Sequence, residues 1–308
     1  MIRLIMDTDP GVDDAMAILF GLRSPEVQFE ALTTVFGNGG VARTTENALK
    51  ILEVGGRSDI PVVPGAAKPL LHDYHGKGST VHGSDGLGNT NLPPAQSQPH
   101  NARAAEFIVQ KVMDAPGEIT LLAVGPLTNL ALAVSLEPAI AQNVKQVVIM
   151  GGAVDHRGNA SPLAEANIHN DAAAAKIVFH AGWPLTMLGL NVTHQTVMTS
   201  AYVAELKAAN TPVTDFICAI SQFYLNAYRT RDGIDGFFVH DSSAMAYVID
   251  PTLFQCQKVY VDVQVGDARA NGQTLADWRN QWGQPPNVNV CTAVDADRFL
   301  RLYKSRIM

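Results

Sequence analysis

Cysteines, aromatic residues and long apolar runs are scarce in this chain of 308 residues. Its three cysteines, Cys218, Cys256 and Cys291, are widely spaced and form no CxxC motif. This pattern argues against a disulfide framework or a zinc site and favours reduced thiols. No run of 18 or more apolar residues occurs, so no membrane-spanning helix is expected. Asp7 comes too early for a secretory signal. We therefore predict a cytoplasmic protein.

Basic clusters and nucleotide-binding loops are also missing. The formal net charge is -7, and no basic-aromatic segment suited to RNA or DNA is present. No GxxxxGK[ST] loop occurs, and Gly151-Gly152 is too short for a dinucleotide fingerprint. The composition, 47% hydrophobic and 17% charged, is sufficient for a large core. A small neutral substrate or a cation suits this chain better than nucleic acid or a membrane.

Short apolar runs alternate with helical patterns along the chain. We predict strands at residues 4–6, 28–35, 119–124, 146–150 and 184–190. We predict helices at residues 15–22, 44–54, 102–114, 129–135 and 171–180. This order predicts βαβ units, and hence an α/β fold with a mainly parallel central sheet flanked by helices. No linker or internal repeat divides it, so residues 1–308 are expected to form a single domain.

Two segments depart from this alternation. Residues 66–101 are rich in Gly, His, Pro and Asn, which is typical of an irregular loop near a binding site. Within them, residues 72–88 are expected to close over a substrate. Residues 262–290 carry turn residues among alternating apolar residues and are expected to form a peripheral hairpin.

Polar and glycine-rich residues follow several of the predicted strands. In open parallel sheets, ligands bind beyond the carboxyl ends of the strands. We therefore expect a site formed by the residues that follow these strands: 7–14, 36–38, 124–129, 150–152 and 191–194.

The first of these segments is strongly acidic, with Asp7, Asp9, Asp13 and Asp14 inside eight residues. One interpretation is that Asp13 caps a helix that begins near Ala15. Capping does not explain Asp7 and Asp9, because crowded carboxylates repel unless they bind protons or share a cation. The alternative is a metal site, and its all-oxygen ligands would favour Ca²⁺ or Mg²⁺ over zinc.

The same segment, DTDPGVDDA at residues 7–15, resembles the N-terminal signature of the nucleoside hydrolases, the inosine-uridine-preferring group and its relatives. Further matching motifs follow in the family's order: TTVFGN at 33–38, HGSDGLG at 82–88, GPLTN at 125–129, MGG at 150–152, GN at 158–159, AEAN at 164–167 and VHD at 239–241. The resemblance covers nearly the whole chain. It implies a nucleoside hydrolase fold with a Rossmann-like core, and cleavage of ribonucleosides to ribose and free base.

The resemblance also implies a metal site. Asp9, Asp14, Asp241 and the main-chain carbonyl of Val124 would bind Ca²⁺. Asp9 would act as general base on a water that Asn38 helps to position. For Asp241 the alternative is a simple N-cap of a helix at residues 242–248.

The resemblance further implies that ribose is bound by Asp13, Asn159, Glu165 and Asn167. Together these residues would bind ribose in preference to 2-deoxyribose. Without the resemblance, Asn159 and Asn167 would be read as ordinary turn residues.

Departure of the base would depend on His240 as the acid, with His82 and Tyr228 near the base. An isolated histidine is more often structural than catalytic. Tyr228 lies one helical turn from Tyr224, so both tyrosines are also candidates for the core.

Two positions depart from the family pattern. Ala166 replaces a common aromatic residue, which puts substrate affinity in doubt, and Asn191 replaces a common Asp, where we expect only local changes in hydrogen bonding. Ala166 keeps a second hypothesis open, a catalytically weak ribose- or nucleoside-binding protein. A third, a metal-dependent phosphatase, is disfavoured by Gly11, where those enzymes have Thr or Val.

Base tolerance and assembly are predicted only broadly. His82 and His240 favour tolerance of inosine, uridine and cytidine over strict purine specificity, in which a tryptophan stacks on the base. Trp183, Trp278 and Trp282 lie outside the motifs. Relatives form dimers or tetramers, so a homodimer or homotetramer is expected.

Overall fold

An eight-stranded sheet forms the centre of the computed structural model, which describes residues 1–74, 76 and 81–308. Its strands arise from short runs rich in β-branched and apolar residues, as buried strands of α/β proteins do. The strands of the protein are β1 (Ile2–Thr8), β2 (Val27–Thr34), β3 (Val62–Pro64), β4 (Ile119–Ala123), β5 (Gln146–Met150), β6 (Leu185–Leu188), β7 (Val197–Thr199), β8 (Gly236–Phe238), β9 (Phe254–Val259), β10 (Val261–Val263), β11 (Thr274–Ala276) and β12 (Val288–Val294).

The order across the central sheet is β3-β2-β1-β4-β5-β6-β12-β9. All neighbouring strands are parallel except β9, which runs antiparallel to β12 at one edge. From β1 the chain first builds outward through β2 to β3, and then returns to place β4 on the other side of β1. This reversal opens a crevice beyond the carboxyl ends of β1 and β4, where ligands bind in such sheets.

Helices cover both faces of the sheet. They are α1 (Val12–Leu22), α2 (Val41–Val54), α3 (Ala104–Asp114), α4 (Thr128–Leu136), α5 (Ile140–Asn143), α6 (Ala166–Asn170), α7 (Ala172–Phe179), α8 (Leu190–Thr193), α9 (Ser200–Lys207), α10 (Pro212–Asp232), α11 (Asp241–Ile249) and α12 (Ala296–Ile307), with a 3₁₀ turn at Pro251–Leu253. Alternate residues of β1 point into different apolar clusters: Leu4 and Met6 pack on the side of α1 and α11, and Ile5 on the side of α3 and α4. Within the described chain, no helix is both long and apolar enough to cross a membrane.

The predicted fold class is confirmed, and each predicted strand and helix corresponds to an observed one. Residues 66–74, 76 and 81–101 contain no helix or strand, as expected. The prediction of a peripheral hairpin at residues 262–290 is only partly correct. β10 and β11 do pair antiparallel, but residues 288–290 lie in β12, inside the central sheet beside β6. The Gly- and Asn-rich composition before β12 hid a strand whose apolar residues, Val288 and Val290, are buried.

Candidate active site

A cavity of about 310 Å³ opens beyond the carboxyl ends of β1, β4 and β5, where the sequence analysis expected the site. Its lining comes from the predicted strand ends together with side chains of α10 and the start of α11: Asp13, Gly37, Asn38, Tyr74, Val81, His82, Val124, Met150, Asn159, Ala160, Glu165, Ala166, Asn167, Asn170, Tyr224, Tyr228, Arg231, His240 and Asp241. The wall is therefore mainly polar, with an acidic side and an aromatic side.

Asp14 organises the turn between β1 and α1. Its Oδ2 accepts the Gly11 N–H at 2.8 Å, and its Oδ1 accepts the Thr8 hydroxyl at 2.5 Å. The helix begins at Val12, with Gly11 as the N-cap residue. The expectation that Asp13 caps a helix from Ala15 is therefore wrong: Asp14 reaches back to the free N–H groups of the turn, which leaves Asp13 to face the cavity.

Asp9 is held tightly behind this turn. Its Oδ2 accepts the Asn38 N–H at 2.7 Å, and only 2% of the residue is exposed. Two glycines make room for its carboxylate. A Cβ on Gly125 would lie 2.8 Å from Asp9 Oδ1, and a Cβ on Gly37 would overlap Oδ2. The glycines of the TTVFGN and GPLTN motifs thus define where this carboxylate can sit.

Three carboxylates converge at the cavity floor. Asp13, Asp14 and Asp241 each offer an oxygen within 4.8 Å of the others. Burial and mutual repulsion raise the pKa of Asp14 to about 6 and that of Asp241 well above its usual value. Asp9 is not one of these three, but its pKa is also raised well above normal, by burial and then by the charge of Asp14. Four acidic groups therefore share one electrostatic site.

The alternative role of Asp241 as a helix cap finds no support. α11 begins at Asp241 itself, with His240 as its N-cap residue. None of the side-chain hydrogen bonds among the described residues uses the Asp241 carboxylate. Only 3% of Asp241 is exposed, so its carboxylate is buried beside those of Asp13 and Asp14.

These residues fit a divalent cation. The donors are all oxygens, which suits a hard cation. Asp13 Oδ1 is buried and has no hydrogen-bond partner among the described residues, so it is available to a cation or a hydroxyl group. The Val124 carbonyl lines the same cavity and accepts the Asn167 amide at 2.8 Å, which leaves its second lone pair available.

The loop that follows β5 supplies the predicted ribose-binding side chains. Glu165 caps α6: its Oε1 accepts the Asn167 N–H at 2.9 Å, and its Oε2 accepts the Gly152 N–H at 3.0 Å. Asn159 Oδ1 accepts the Ala166 N–H at 2.9 Å. Burial raises the pKa of Glu165 to about 7 despite these bonds. All these side chains are thus preorganised by main-chain contacts while they line the cavity.

His82 lies beside Asp13, with its Nδ1 3.7 Å from Asp13 Oδ1. Its Nδ1 accepts the Val12 N–H at 3.1 Å, which places the proton of the neutral ring on Nε2. Burial lowers the pKa of His82 to about 4, so the ring is neutral near pH 7. The Tyr224 ring packs against it with centroids 5.4 Å apart.

His240 is held at both ring nitrogens. The Thr193 hydroxyl lies 2.9 Å from Nδ1, and the Tyr228 hydroxyl lies 3.0 Å from Nε2. Burial lowers the pKa of His240 well below its usual value. Tyr228 therefore belongs to the site and not only to the core.

Three contributors escaped the sequence analysis. The Tyr224 hydroxyl donates to Asp13 Oδ2 at 3.2 Å, so Tyr224 links the aromatic side of the cavity to the acidic side. Arg231 places its guanidinium 4.8 Å from the centre of the Tyr228 ring. Tyr74 donates its hydroxyl to the Gly37 carbonyl at 2.8 Å. The spacing of Tyr224, Tyr228 and Arg231 on one helix face was the available signal.

Ala166 and Asn191, the two residues that depart from the family pattern, both have defined surroundings in the structure. Ala166 lines the cavity with a small side chain where an aromatic residue is common. Asn191 donates to the Cys291 carbonyl at 2.8 Å, while its Oδ1 is buried without a partner among the described residues. That the change at 191 affects only local hydrogen bonding stays a prediction. Residues 75 and 77–80 of the proposed closing loop at 72–88 lie outside the described residues.

One family of known proteins matches this chain over nearly its whole length. The sequence profile of the family described as inosine-uridine preferring nucleoside hydrolase matches residues 4–301. Uridine nucleosidase 1 of Arabidopsis thaliana is 39% identical over 99% of this chain and 93% of its own length. The inosine-uridine preferring nucleoside hydrolase of Leishmania major is 40% identical over 96% of this chain and 94% of its own.

Solved structures agree. A plant nucleoside hydrolase superposes with a TM-score of 0.96 at 40% identity, covering 99% of this chain and 98% of the other. A purine-preferring ribonucleoside hydrolase from Gardnerella vaginalis has a TM-score of 0.94 at 32% identity, with 99% and 98% covered. The match therefore extends over the whole fold, including every element that lines the cavity.

Proposed function

Because the chain belongs to the inosine-uridine preferring nucleoside hydrolase family, it is a ribonucleoside hydrolase, and we propose that it uses Ca²⁺ and accepts inosine, uridine and cytidine. The reaction gives ribose and the free base. One observation carries the proposal: a buried all-oxygen acidic cluster and His240, held by hydroxyl groups at both ring nitrogens, line a single cavity.

The acidic side is proposed to bind the cation and the ribose. The ion would be bound by Asp9, Asp14, Asp241 and the Val124 carbonyl. Asp13 converges with Asp14 and Asp241, which supports a role for Asp13 in binding the sugar next to the ion. Nucleoside hydrolases depend on a metal, and a bound divalent cation makes its water more acidic and orients it. Ca²⁺ is favoured over Mg²⁺ because several carboxylates and a main-chain carbonyl are available as ligands, which suits the higher and more flexible coordination of the larger ion.

Asp9 is proposed as the general base. Its carboxylate is confined by Gly37, Gly125 and the Asn38 N–H, so its direction is set before substrate binds. The Asn38 side chain lines the same cavity and is proposed to position the attacking water.

Ribose recognition is proposed to involve Asp13, Asn159, Glu165 and Asn167. Asp13 Oδ1 is a buried acceptor with no hydrogen-bond partner in the part of the chain that the structure describes, which suits a donating sugar hydroxyl. A 2-deoxyribose would leave such a group unpaired, so ribose should be preferred. Carboxylates around the sugar also stabilise the oxocarbenium-like transition state.

Departure of the base is proposed to depend on His240, with His82 and Tyr228 beside it. A neutral imidazole can still donate its one N–H, and the Thr193 hydroxyl can select the tautomer that places this proton on Nε2. Tyr228 then relays or shares the proton with the base. His82 carries its proton on Nε2 and can also donate a hydrogen bond to the base.

A broad base preference is supported by the wall composition. None of Trp183, Trp278 and Trp282 lines the described cavity, so no indole is available to stack on a purine. Donors and acceptors on histidine and tyrosine side chains suit the carbonyl groups of hypoxanthine and uracil alike. Relatives include both uridine nucleosidases and a purine-preferring enzyme, so the ranking of bases is informative.

The test measures reducing-sugar release from inosine, uridine, cytidine and adenosine, before and after metal removal. We expect activity that a calcium-selective chelator abolishes and that Ca²⁺ restores better than Mg²⁺. Full restoration by Mg²⁺ alone would overturn the choice of ion. Bound nucleoside without base release would instead favour the catalytically weak binding protein, with Ala166→Phe as the variant to compare.

A further inference from the structure

Two of the three cysteines lie opposite each other at the edge of the central sheet. Cys256 on β9 and Cys291 on β12 are direct partners in the antiparallel ladder. Their separation in the sequence concealed this pairing. The third cysteine, Cys218, lies on α10, where its thiol contacts the Val203 carbonyl at 3.4 Å.

The ladder brings the two thiols into mutual contact. Directly opposed residues of an antiparallel pair have Cα atoms about 4.5 or 5.5 Å apart, and both values fall within the range of disulfides. Their side chains also leave the sheet on the same face. Each thiol influences the pKa of the other, which is consistent with two neighbouring sulfur atoms. The backbone therefore needs little movement to join them.

The two cysteines differ in access. Cys291 is fully buried, whereas Cys256 is partly exposed on the edge strand, between the exposed side chains of Gln255 and Gln257. The neighbouring Cys291 thiol lowers the pKa of Cys256, while burial raises that of Cys291. An outside reagent thus meets Cys256 first, at the thiol that ionises more readily.

We propose that Cys256 and Cys291 form a redox modification site, which closes into a cross-strand disulfide by exchange with a small-molecule disulfide such as oxidised glutathione. The Cys256 thiolate attacks one sulfur of the reagent, forms a mixed disulfide and releases one glutathione thiolate. The Cys291 thiol then loses its proton and attacks Cys256 Sγ, which releases the second glutathione. Two protein thiols are oxidised, and one glutathione disulfide is reduced to two thiols.

The cross-link joins the outermost strand, β9, to its only neighbour in the central sheet, β12. It closes the segment 256–291, which includes the β10–β11 hairpin, and so restricts the unfolded chain. The oxidised protein is therefore expected to melt at a temperature roughly 5 °C higher than the reduced protein.

The experiment equilibrates the native protein in glutathione buffers of increasing oxidised fraction. Samples are quenched with acid, alkylated in denaturant and analysed by mass spectrometry and peptide mapping. We expect loss of two alkylatable thiols, a Cys256–Cys291 linked peptide, full reversal by dithiothreitol and the rise in melting temperature. Three free thiols at the most oxidising ratio, or a lasting mixed disulfide on Cys256, would overturn the proposal.

Matched variants separate the roles. Cys218→Ser should behave as the unmodified chain does. Cys291→Ser should stop at the glutathione adduct on Cys256, and Cys256→Ser should leave Cys291 unmodified. All three positions lie outside the proposed catalytic groups, so nucleoside hydrolysis verifies that each variant is folded. Adduct formation on Cys291 in Cys256→Ser at the same rate would contradict the assigned order of attack.

Discussion

The acidic and aromatic sides of the cavity are built by different means. On the acidic side, main-chain N–H groups and close glycines hold Asp9 and Asp14, and the Thr8 hydroxyl adds one side-chain contact to Asp14. On the aromatic side, His240 is positioned by the hydroxyls of Thr193 and Tyr228, at the ends of other side chains. The acidic side is thus held mainly by main-chain contacts, and the aromatic side is held by contacts between side chains.

This difference matches the chemistry that each side is proposed to perform. Attack on the sugar needs charges placed accurately, and main-chain contacts from the loops after β1, β2 and β4 provide that placement. The bases differ in shape from one nucleoside to another, and the hydroxyl contacts that hold His240 do not involve the turn after β1. Substitutions on the acidic side should therefore affect all substrates alike, and those on the aromatic side should depend on the base.

The largest effect is expected on the acidic side. Asp9→Asn keeps the acceptor for the Asn38 N–H but removes the proposed base, so kcat should fall roughly 10³-fold or more for every nucleoside. Steady-state kinetics on inosine and uridine measure this loss. Near-normal turnover would remove Asp9 from the role of base and weaken the contrast between the two sides.

A smaller loss, selective for the base, is expected on the aromatic side. His240→Ala should slow inosine roughly 10²-fold or more, because this purine needs a proton as it leaves. p-Nitrophenyl riboside has a good leaving group and should be much less affected. The ratio of the two kcat/KM values is the readout, and equal losses on both substrates would argue against protonation of the base by His240.

Backbone packing behind Asp9 provides the next test. In Gly125→Ala the new Cβ would lie 2.8 Å from Asp9 Oδ1 and 2.9 Å from Val35 Cγ1, so the carboxylate must shift. We expect kcat to fall by about 10- to 100-fold, equally for all bases. Gly40→Ala is the matched control, because a Cβ there meets no atom within 4 Å. Similar kinetics for the two variants would show that the position of Asp9 tolerates movement.

The smallest effect is expected on how the free energy of unfolding depends on pH. His194 stacks on Phe238 with centroids 3.9 Å apart, and burial lowers its pKa to about 4. Between this value and the unfolded pKa of about 6.5, the unfolded chain binds the proton and the folded protein does not. This contribution to the free energy of unfolding is therefore complete above about pH 6.5 and lost as the pH falls towards 4.

His194→Asn removes that proton uptake. Its free energy of unfolding should decline less between pH 7 and 5 than that of the unmodified protein, with the difference reduced by the partial exposure of the ring. Urea unfolding at both pH values measures this change. Identical slopes would mean that buried His82 and His240 account for the acid sensitivity.

Much of this architecture was predictable from local patterns. Apolar runs such as residues 146–150 coincide with a strand because burial on both faces demands continuous hydrophobicity. The acidic turn was equally visible, since Asp9, Asp13 and Asp14 are close in the sequence and therefore close in space. The motifs predicted the rim that carries the cavity because parallel strands bring their carboxyl ends together.

Long-range pairings were not predictable in this way. Which carboxylate reaches back to the N–H groups before α1 depends on the turn geometry at Gly11, whereas the sequence pattern had favoured Asp13. The contact of Tyr224 with Asp13, 211 positions apart, depends on how α10 packs against the start of α1. The opposition of Cys256 and Cys291 depends on strand register. Local sequence specifies an element and its buried face, whereas its distant neighbours follow from the packing of the whole chain.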